Sequence, residues 1–257
     1  MSQLVLTDVV DGVMTVTLNR PERKNALSQE AYGGLADAIE RAEKDDGVRV
    51  VVLQSEGDVF CAGADIGDFA AANKGGAPRG PRNSTRWIQG LGRIEKPVIV
   101  AVQGAAVGIG TTMLMHCDLI CMAEEGSLRT PFVNLALVPE AASSLQLPER
   151  IGHVRAFSMF VLGEAVDAAK AVSWGIANEI VPAGELRARA RAAAEAVAGR
   201  PPSAVQITKA LMRDPARLAA RIEEEGRHFS AQLKTAEARE AFAAFREKRA
   251  PDFGKLG

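Results

Sequence analysis

The chain has few cysteines, almost no net charge and no long apolar run, and each shortage removes a class of protein. Its 257 residues include three cysteines, Cys61, Cys117 and Cys121, which are too few and too scattered for a disulfide framework or a zinc site. We therefore expect reduced thiols in a cytoplasmic protein. The formal net charge of −1 provides no overall attraction to nucleic acid or to a membrane surface.

Other features that the sequence lacks narrow the possible functions further. No apolar run approaches the roughly 18 residues of a membrane-spanning helix, and the segment MSQLVLTDVVDG has no basic region followed by an apolar one, so no signal peptide is predicted. The three histidines, His116, His153 and His228, pair with no evident Ser or Cys nucleophile, which disfavours a hydrolase triad. We expect no metal, no nucleic-acid partner and no membrane partner.

The first two-thirds of the chain alternate between strand and helix patterns. Asp11-Gly12 separates two alternating segments, which is a strong hairpin signal. A helix is predicted over roughly 28–45 with Ser28 as its N-cap, and the β-branched segments VRVVVLQS and VIVAVQG predict buried strands. This alternation predicts an α/β fold with a mainly parallel sheet and crossover helices.

Beyond about residue 140 the pattern is mostly helical, with a short strand near ANEIV. The segment LRARARAAAEAVAGR has helix-forming composition and also suits a plain solvated helix. We divide the chain into a core at 1–195 that carries the site and a C-terminal helical region at 196–257. Residues 70–83, rich in Gly, Pro and charge, have the composition of a mobile loop that could cover a site.

Two stretches of small residues, CAGAD at 61–65 and GAAVGIG at 104–110, each follow a predicted strand and precede a predicted helix. That end of a strand borders the ligand crevice in open α/β sheets, and the exposed N–H groups of two such junctions would stabilise a developing oxyanion. Each stretch alone also suits a plain turn. A nucleotide-binding loop is disfavoured, because the first strand-turn-helix unit has no G-x-G-x-x-G and no P-loop lysine follows a glycine run.

Five segments together resemble one protein family, in order and essentially from end to end: RPERKNALS, FCAGADI, KPVIVAVQGAAVGIGTTMLMHCDLICMAEEGSLRTPF, LVPEAASSLQLPERIG and AFREKRAPDF. They resemble the enoyl-CoA hydratase/isomerase (crotonase) superfamily. The resemblance implies a crotonase (ClpP-like) fold of repeated ββα units with a C-terminal helical trimerisation region. It also implies a homotrimer or dimer of trimers and an acyl-CoA thioester substrate, with no cofactor because coenzyme A is part of that substrate.

The resemblance also implies a catalytic apparatus. The two backbone N–H groups of the family's oxyanion hole correspond here to Ala64 and Ile109. The two glutamates of the hydratases correspond to Thr112 and Phe132, so both are absent. Glu140 instead occupies the place of the catalytic glutamate in the peroxisomal type of Δ3,Δ2-enoyl-CoA isomerases.

We therefore expect an isomerase of fatty-acid β-oxidation in which Glu140 alone removes and returns the proton. Two alternatives stay open: a hydratase-like lyase in which Glu140 and another group activate water, and a non-catalytic acyl-CoA-binding member. From periodicity alone, Glu140 also suits an acid at a helix N-terminus. A helix N-terminus would lower the pKa of Glu140, whereas the apolar residues around it, among them Phe132 and Leu137, would raise it, and the sequence leaves the net direction open.

The resemblance also assigns substrate-binding residues. Asp65 belongs to the oxyanion segment and is predicted to cap a short helix after it. For Lys248 and Phe253 the alternative is a solvated helix face. The complete set consists of the CoA-binding turn, the backbone beside the pantetheine arm, the acyl pocket and the C-terminal contacts: Lys24, Ala26, Ala62, Asp65, Ile66, Phe132, Leu137, Lys248 and Phe253.

Overall fold

The computed structural model describes residues 3–65 and 82–255, and the fold is built on two sheets. Within these ranges the strands are β1 (Val5–Val10), β2 (Val13–Leu18), β3 (Val50–Ser55), β4 (Val98–Val102), β5 (Ala105–Val107), β6 (Leu119–Ala123), β7 (Ser127–Arg129), β8 (Val166–Asp167) and β9 (Glu179–Val181). The larger sheet has the order β1-β2-β3-β4-β6-β9, and the smaller one has the order β5-β7-β8.

The helices account for most of the remaining described chain. They are α1 (Gln29–Lys44), α2 (Asn83–Arg93), α3 (Ile109–Thr112), α4 (Ser143–Ile151), α5 (His153–Phe157), α6 (Ala168–Ser173), α7 (Leu186–Ala198), α8 (Pro202–Met212), α9 (Pro215–Gln232) and α10 (Ala236–Glu247). Short 3-10 turns lie at Pro21–Arg23, Met113–His116, Val133–Leu135, Ala183–Glu185 and Phe253–Lys255, and a π-helical turn lies at Ser158–Leu162.

The large sheet follows the predicted α/β plan. Strands β1 and β2 are antiparallel across Asp11 and Gly12, whose φ values of 51° and 77° are those of the turn that matches the twist of a hairpin. Every further pairing in this sheet is parallel. The predicted hairpin, the mainly parallel sheet and the helix capped by Ser28, which accepts a hydrogen bond from the Ala31 amide, are confirmed.

Strand β3 shows why the sheet must be covered on both faces. Val51 and Leu53 belong to the main core with α1, whereas the alternate residues Val50 and Val52 pack on the opposite face against α7. Strands buried on both faces consist of continuous apolar residues, as the sequence of β3 does. Helix α7 is therefore not merely solvated: its stripe Leu186, Ala190, Ala194 and Ala198 is buried against the sheet.

The second small-residue stretch folds differently from the long helix that its sequence predicts. Helix α3 makes a single turn, and a 3-10 turn at Met113–His116 then leads to β6. The boundary proposed after residue 195 falls inside α7, and the division into two regions stays a prediction. None of the helices in the described ranges has the length and apolar character needed to span a membrane.

Candidate active site

The two small-residue stretches lie side by side. The Cys61 amide donates to the Ala105 carbonyl at 3.1 Å, and the Val107 amide donates to the Cys61 carbonyl at 2.9 Å. The approach is close enough to exclude a side chain at Gly110, because a Cβ there would lie 2.6 Å from the Cys61 carbonyl oxygen. The junction after β3 and the start of α3 therefore share one location.

This arrangement leaves the Ala64 amide without a hydrogen-bond acceptor among the described residues. The Leu27 amide donates to the Gly63 carbonyl at 2.8 Å, and the Asp65 amide donates to the Leu27 carbonyl at 3.0 Å. Between these two bonds, the Ala64 N–H donates to no described group. Gly63 has a φ of 94°, and a Cβ there would lie 2.9 Å from the Val107 carbonyl oxygen, so a glycine is required beside Ala64.

The Ile109 amide begins a helix and has no acceptor in the ranges that the structure describes. The Thr111 and Thr112 amides both donate to the Gly108 carbonyl at 2.9 Å, whereas the Ile109 N–H has no partner in the described part of the chain. The first N–H groups of a helix have no intrahelical acceptor and carry its positive end. The structure thus provides two unpartnered N–H groups on adjacent segments, as an oxyanion hole requires.

Ala64 and Ile109 both line one cavity of about 310 Å³, and Glu140 lines it too. Its lining is mainly apolar, and predicted residues Ala62, Phe132 and Leu137 belong to it. One face of α9, the residue Leu233 that follows it and Phe245 of α10 form a wall that the sequence did not predict; the contributing residues of α9 are Ile222, Gly226, Phe229 and Ser230. Their spacing of three and four residues is the helical signal that could have indicated one contact face.

The Glu140 carboxyl group is held at one oxygen and unpartnered at the other. The Thr112 hydroxyl donates to Oε1, while Oε2 is buried and has no hydrogen-bond partner among the described residues. Burial raises the pKa of Glu140 to about 8; the Thr112 hydrogen bond opposes the rise and the negative charge of Glu225 adds to it. Thr112, at the position of an absent hydratase glutamate, therefore positions the acid that is present.

Glu140 is not the acid at a helix N-terminus, so that alternative is wrong. Helix α4 begins three residues later, at Ser143. The amides at this helix start, those of Ala142 and Ser144, donate instead to the carboxylate of Glu225, at 2.6 and 2.9 Å. The helix-capping role belongs to a residue of α9, which leaves the Glu140 carboxylate available to the cavity.

The predicted CoA-binding turn lies beside the oxyanion segment. The Ala62 amide donates to the Lys24 carbonyl at 2.9 Å. Arg20 donates to the Ala26 carbonyl at 3.0 Å and forms an ion pair with Asp65 at 2.9 Å. The side chain of Lys24 is exposed. The turn is thus fixed next to Ala64, and its contact with CoA stays a prediction.

Besides Lys24, Ala26 and Asp65 of the adjoining turn, three further predicted binding residues do not belong to the described cavity lining. Lys248 ends α10 with a left-handed backbone and an exposed side chain, and Phe253 is 41% exposed; neither belongs to the described lining. Ile66 lies outside the described residues, as do the helix that Asp65 is predicted to cap and most of loop 70–83.

Two other titratable candidates, Cys61 and His116, are held in uncharged forms. Burial raises the pKa of the Cys61 thiol to about 12, so no reactive thiolate forms there at neutral pH. Burial lowers the pKa of His116 to about 3. Within residues 3–65 and 82–255, no three His, Cys, Asp or Glu side chains are grouped so as to hold a metal ion.

Comparison with known proteins places this geometry in a family. The enoyl-CoA hydratase/isomerase family model matches residues 8–255. The chain is 31% identical to 1,2-epoxyphenylacetyl-CoA isomerase of Escherichia coli over 98% of this chain and 99% of that protein. It is 30% identical to human enoyl-CoA delta isomerase 2 over 79% of this chain and 52% of that protein.

A solved structure shows the same fold. The enoyl-CoA hydratase/isomerase from Pseudoalteromonas atlantica T6c superposes with a TM-score of 0.93 at 39% identity, covering 98% of this chain and 100% of that one. The names of the relatives include both hydratases and isomerases. The predicted α/β crotonase fold is therefore confirmed, and the chain belongs to the enoyl-CoA hydratase/isomerase (crotonase) family.

Proposed function

We propose that the protein is a Δ3,Δ2-enoyl-CoA isomerase that moves a double bond from C3 to C2 of an acyl-CoA thioester. One observation carries the proposal: Glu140 is the single carboxylate in the described lining of a cavity that also presents the free amides of Ala64 and Ile109. Its Oε2 has no described partner to compete with a substrate proton. One base and one oxyanion hole are sufficient for isomerisation.

The reaction balances with these groups alone. The Glu140 carboxylate takes a proton from C2, and the electron pair of that C–H bond delocalises into a dienolate whose negative charge lies on the thioester oxygen. The N–H groups of Ala64 and Ile109 stabilise that oxygen. The protonated Glu140 then gives the proton to C4, the double bond forms between C2 and C3, and the carboxylate is restored.

Hydration is less well supported, because it requires one group to activate water and another to protonate carbon. The two positions that carry glutamates in the hydratases hold a hydroxyl, Thr112, and a buried phenyl ring, Phe132. Glu225, the nearby second acid, already accepts two backbone hydrogen bonds. Among the relatives, the human one is named enoyl-CoA delta isomerase 2, whereas the one from Thermus thermophilus is named a putative enoyl-CoA hydratase.

The remaining predictions from the sequence are part of the same proposal. The protein acts in fatty-acid β-oxidation in the cytoplasm, as a homotrimer or dimer of trimers, and without a cofactor. Lys24, Lys248 and Phe253 contact the CoA moiety, and the apolar cavity receives the acyl chain.

A pair of substrates tests the proposed function. The protein is mixed separately with a 3-enoyl-CoA and with a 2-enoyl-CoA, and the absorbance of the conjugated thioester is followed. We expect a rise with the first substrate. A loss with the second and no rise with the first would identify a hydratase, and tight binding of both without an absorbance change would identify a non-catalytic acyl-CoA-binding protein.

The pH dependence of this activity tests the state of Glu140. The base must be ionised, so kcat/KM is expected to rise about tenfold per pH unit below the pKa of about 8 and to level off above it. Thr112→Val removes the hydrogen bond that lowers the pKa of Glu140. In this variant the rise of kcat/KM with pH should therefore occur at higher pH than in the wild type. Thr112→Ser keeps the hydroxyl and serves as the control. If kcat/KM rises over the same pH range in both variants, Glu140 is not the base that the profile reports.

A further inference from the structure

Glu140 leads directly into a turn of unfavourable backbone conformation. Ala141 and Ala142 have φ values of 59° and 56°, in the left-handed region that residues with a Cβ rarely adopt. Two consecutive residues of this kind persist only where the surrounding structure determines them, and such strain is concentrated at functional sites. The contacts of this turn therefore show what holds the candidate base in place.

One side of the turn is held by a neutral histidine. His116 Nε2 lies 2.7 Å from the Ala141 carbonyl oxygen, and Arg213 Nη2 lies 3.1 Å from His116 Nδ1. Because a guanidinium only donates, Nδ1 is the acceptor and Nε2 carries the hydrogen that the Ala141 carbonyl accepts. Ser143 also donates through its hydroxyl to the Glu140 carbonyl at 2.6 Å.

The other side of the turn is held by Glu225. Its Oε2 accepts from the Ala142 amide at 2.6 Å and its Oε1 accepts from the Ser144 amide at 2.9 Å. The residue is 5% exposed, and its neighbours on the same helix, Ile222 and Phe229, line the cavity. Helix α9 thus forms a wall of the acyl cavity, and the two hydrogen bonds of its Glu225 fix the turn that follows the base.

We propose that Glu225 is a positioning residue whose two hydrogen bonds hold the Ala141–Ala142 turn and so aim the Glu140 carboxylate into the cavity. The inference rests on the proposed function in treating Glu140 as the base. It extends that function by assigning the orientation of the base to a residue of the C-terminal helices, 83 positions from Ala142 in the chain.

The charge of Glu225 also affects the pKa of Glu140, which a residue with a purely structural role would not do. Of the titratable groups facing this turn, Cys61 and His116 are neutral because their pKa values are shifted to about 12 and about 3. Arg221 is a cation beside Glu225, and it opposes the rise that burial causes in the pKa of Glu225. The negative charge of the Glu225 carboxylate, whose oxygens accept two backbone hydrogen bonds, raises the pKa of Glu140.

Glu225→Gln, compared with Glu223→Gln, tests the proposal. The variant is nearly isosteric but removes the charge and one strong acceptor, whereas Glu223 is an exposed acid on the same helix. We expect Glu225→Gln to lower kcat by about 10-fold to 100-fold, the loss that a displacement of roughly 1 Å can cause, and to move the pH limb to lower pH. Glu223→Gln should change neither quantity.

A second readout separates failure of this inference from failure of the proposed function. The Glu140 carboxyl carbon is titrated by ¹³C NMR without substrate and is assigned by its absence in Glu140→Gln. The titration midpoint should fall in Glu225→Gln even if the wild-type protein shows no isomerase activity. An unmoved midpoint overturns the inference, as does a loss of kcat that parallels a loss of Tm.

Glu225→Gln weakens the hydrogen bonds that hold the strained Ala141–Ala142 turn, so this variant could fail to fold. Ala142→Gly added to Glu225→Gln provides for that case, since glycine adopts a φ of 56° without a steric penalty. The double variant should fold and keep the lowered kcat and the lowered Glu140 pKa. Wild-type kcat and an unchanged pKa in the folded double variant would overturn the inference.

Discussion

Glu140→Gln is expected to lower the turnover of a 3-enoyl-CoA by about 10²–10⁴-fold while leaving CoA binding nearly unchanged. The amide cannot take the C2 proton, yet it is nearly isosteric and can still accept the hydrogen bond that the Thr112 hydroxyl gives to Oε1. Turnover is followed by the absorbance of the conjugated product, and binding by calorimetric titration with CoA.

The matched control is Glu149→Gln, which removes an exposed acid from α4 and breaks a surface ion pair with Arg217. Surface pairs of this kind contribute little to stability, so this control should retain wild-type turnover. Full activity in Glu140→Gln would remove Glu140 from the mechanism.

Stability provides a second check on the same variant, and its sign follows from the pKa. The Glu140 pKa is about 8 in the folded protein and near 4.5 in an unfolded chain. Between these values the folded state binds more protons, so this group's contribution to the unfolding free energy decreases as pH rises from 4.5 to 8. Above pH 8 the buried charge is a cost that Gln does not have. Glu140→Gln should therefore unfold at a higher temperature than the wild type at pH 9, even though it has lost activity.

The motifs near the strand ends could be predicted from sequence because their meaning is local. The two stretches of small residues at 61–65 and 104–110 mark the strand ends from composition alone, and the family resemblance assigns Ala64 and Ile109 as the donors. The approach of the two stretches to each other is not local, because Cys61 pairs with Ala105 and Val107.

The cavity wall formed by α9 and the hydrogen bonds from Glu225 to the turn could not be predicted in the same way. Glu225 follows two other glutamates, and such a run resembles a solvated helix face. Only tertiary packing turns Glu225 inward, on the stripe that Leu218 and Ile222 define. An acid at an apolar stripe position is an informative exception, but its partner, the Ala142 amide, lies too far away in sequence to be deduced.

Helix α7 illustrates the same limit for packing. Its buried stripe consists largely of alanines, Ala190, Ala194 and Ala198, between arginines and other alanines that suit a solvated helix equally well. Small side chains let a helix approach a sheet closely but give little periodic hydrophobic signal. Most of a helix's stability in a protein comes from packing of one face, and that face is selected by the sheet.

Ile109→Pro is expected to lower kcat by about 10²–10³-fold, the effect of removing one donor from an oxyanion hole. Ile109 is the first residue of α3, where proline is favoured because that N–H makes no intrahelical bond. Proline excludes the α region for the residue before it, and Gly108, at φ 56° and ψ −121°, is already outside that region. The substitution should therefore replace the N–H with the ring Cδ methylene without breaking the backbone.

The control for this variant is Ile109→Ala, because it removes more of the buried Ile109 side chain than proline does and yet keeps the N–H. If the amide stabilises the dienolate, the alanine variant retains most of its kcat and the proline variant does not. Binding of CoA itself, which has no thioester oxygen to meet the ring methylene, should be similar in both variants. Equal kcat values for the two variants, both folded by circular dichroism, would show that the thioester oxygen is stabilised elsewhere and would remove Ile109 from the proposed oxyanion hole.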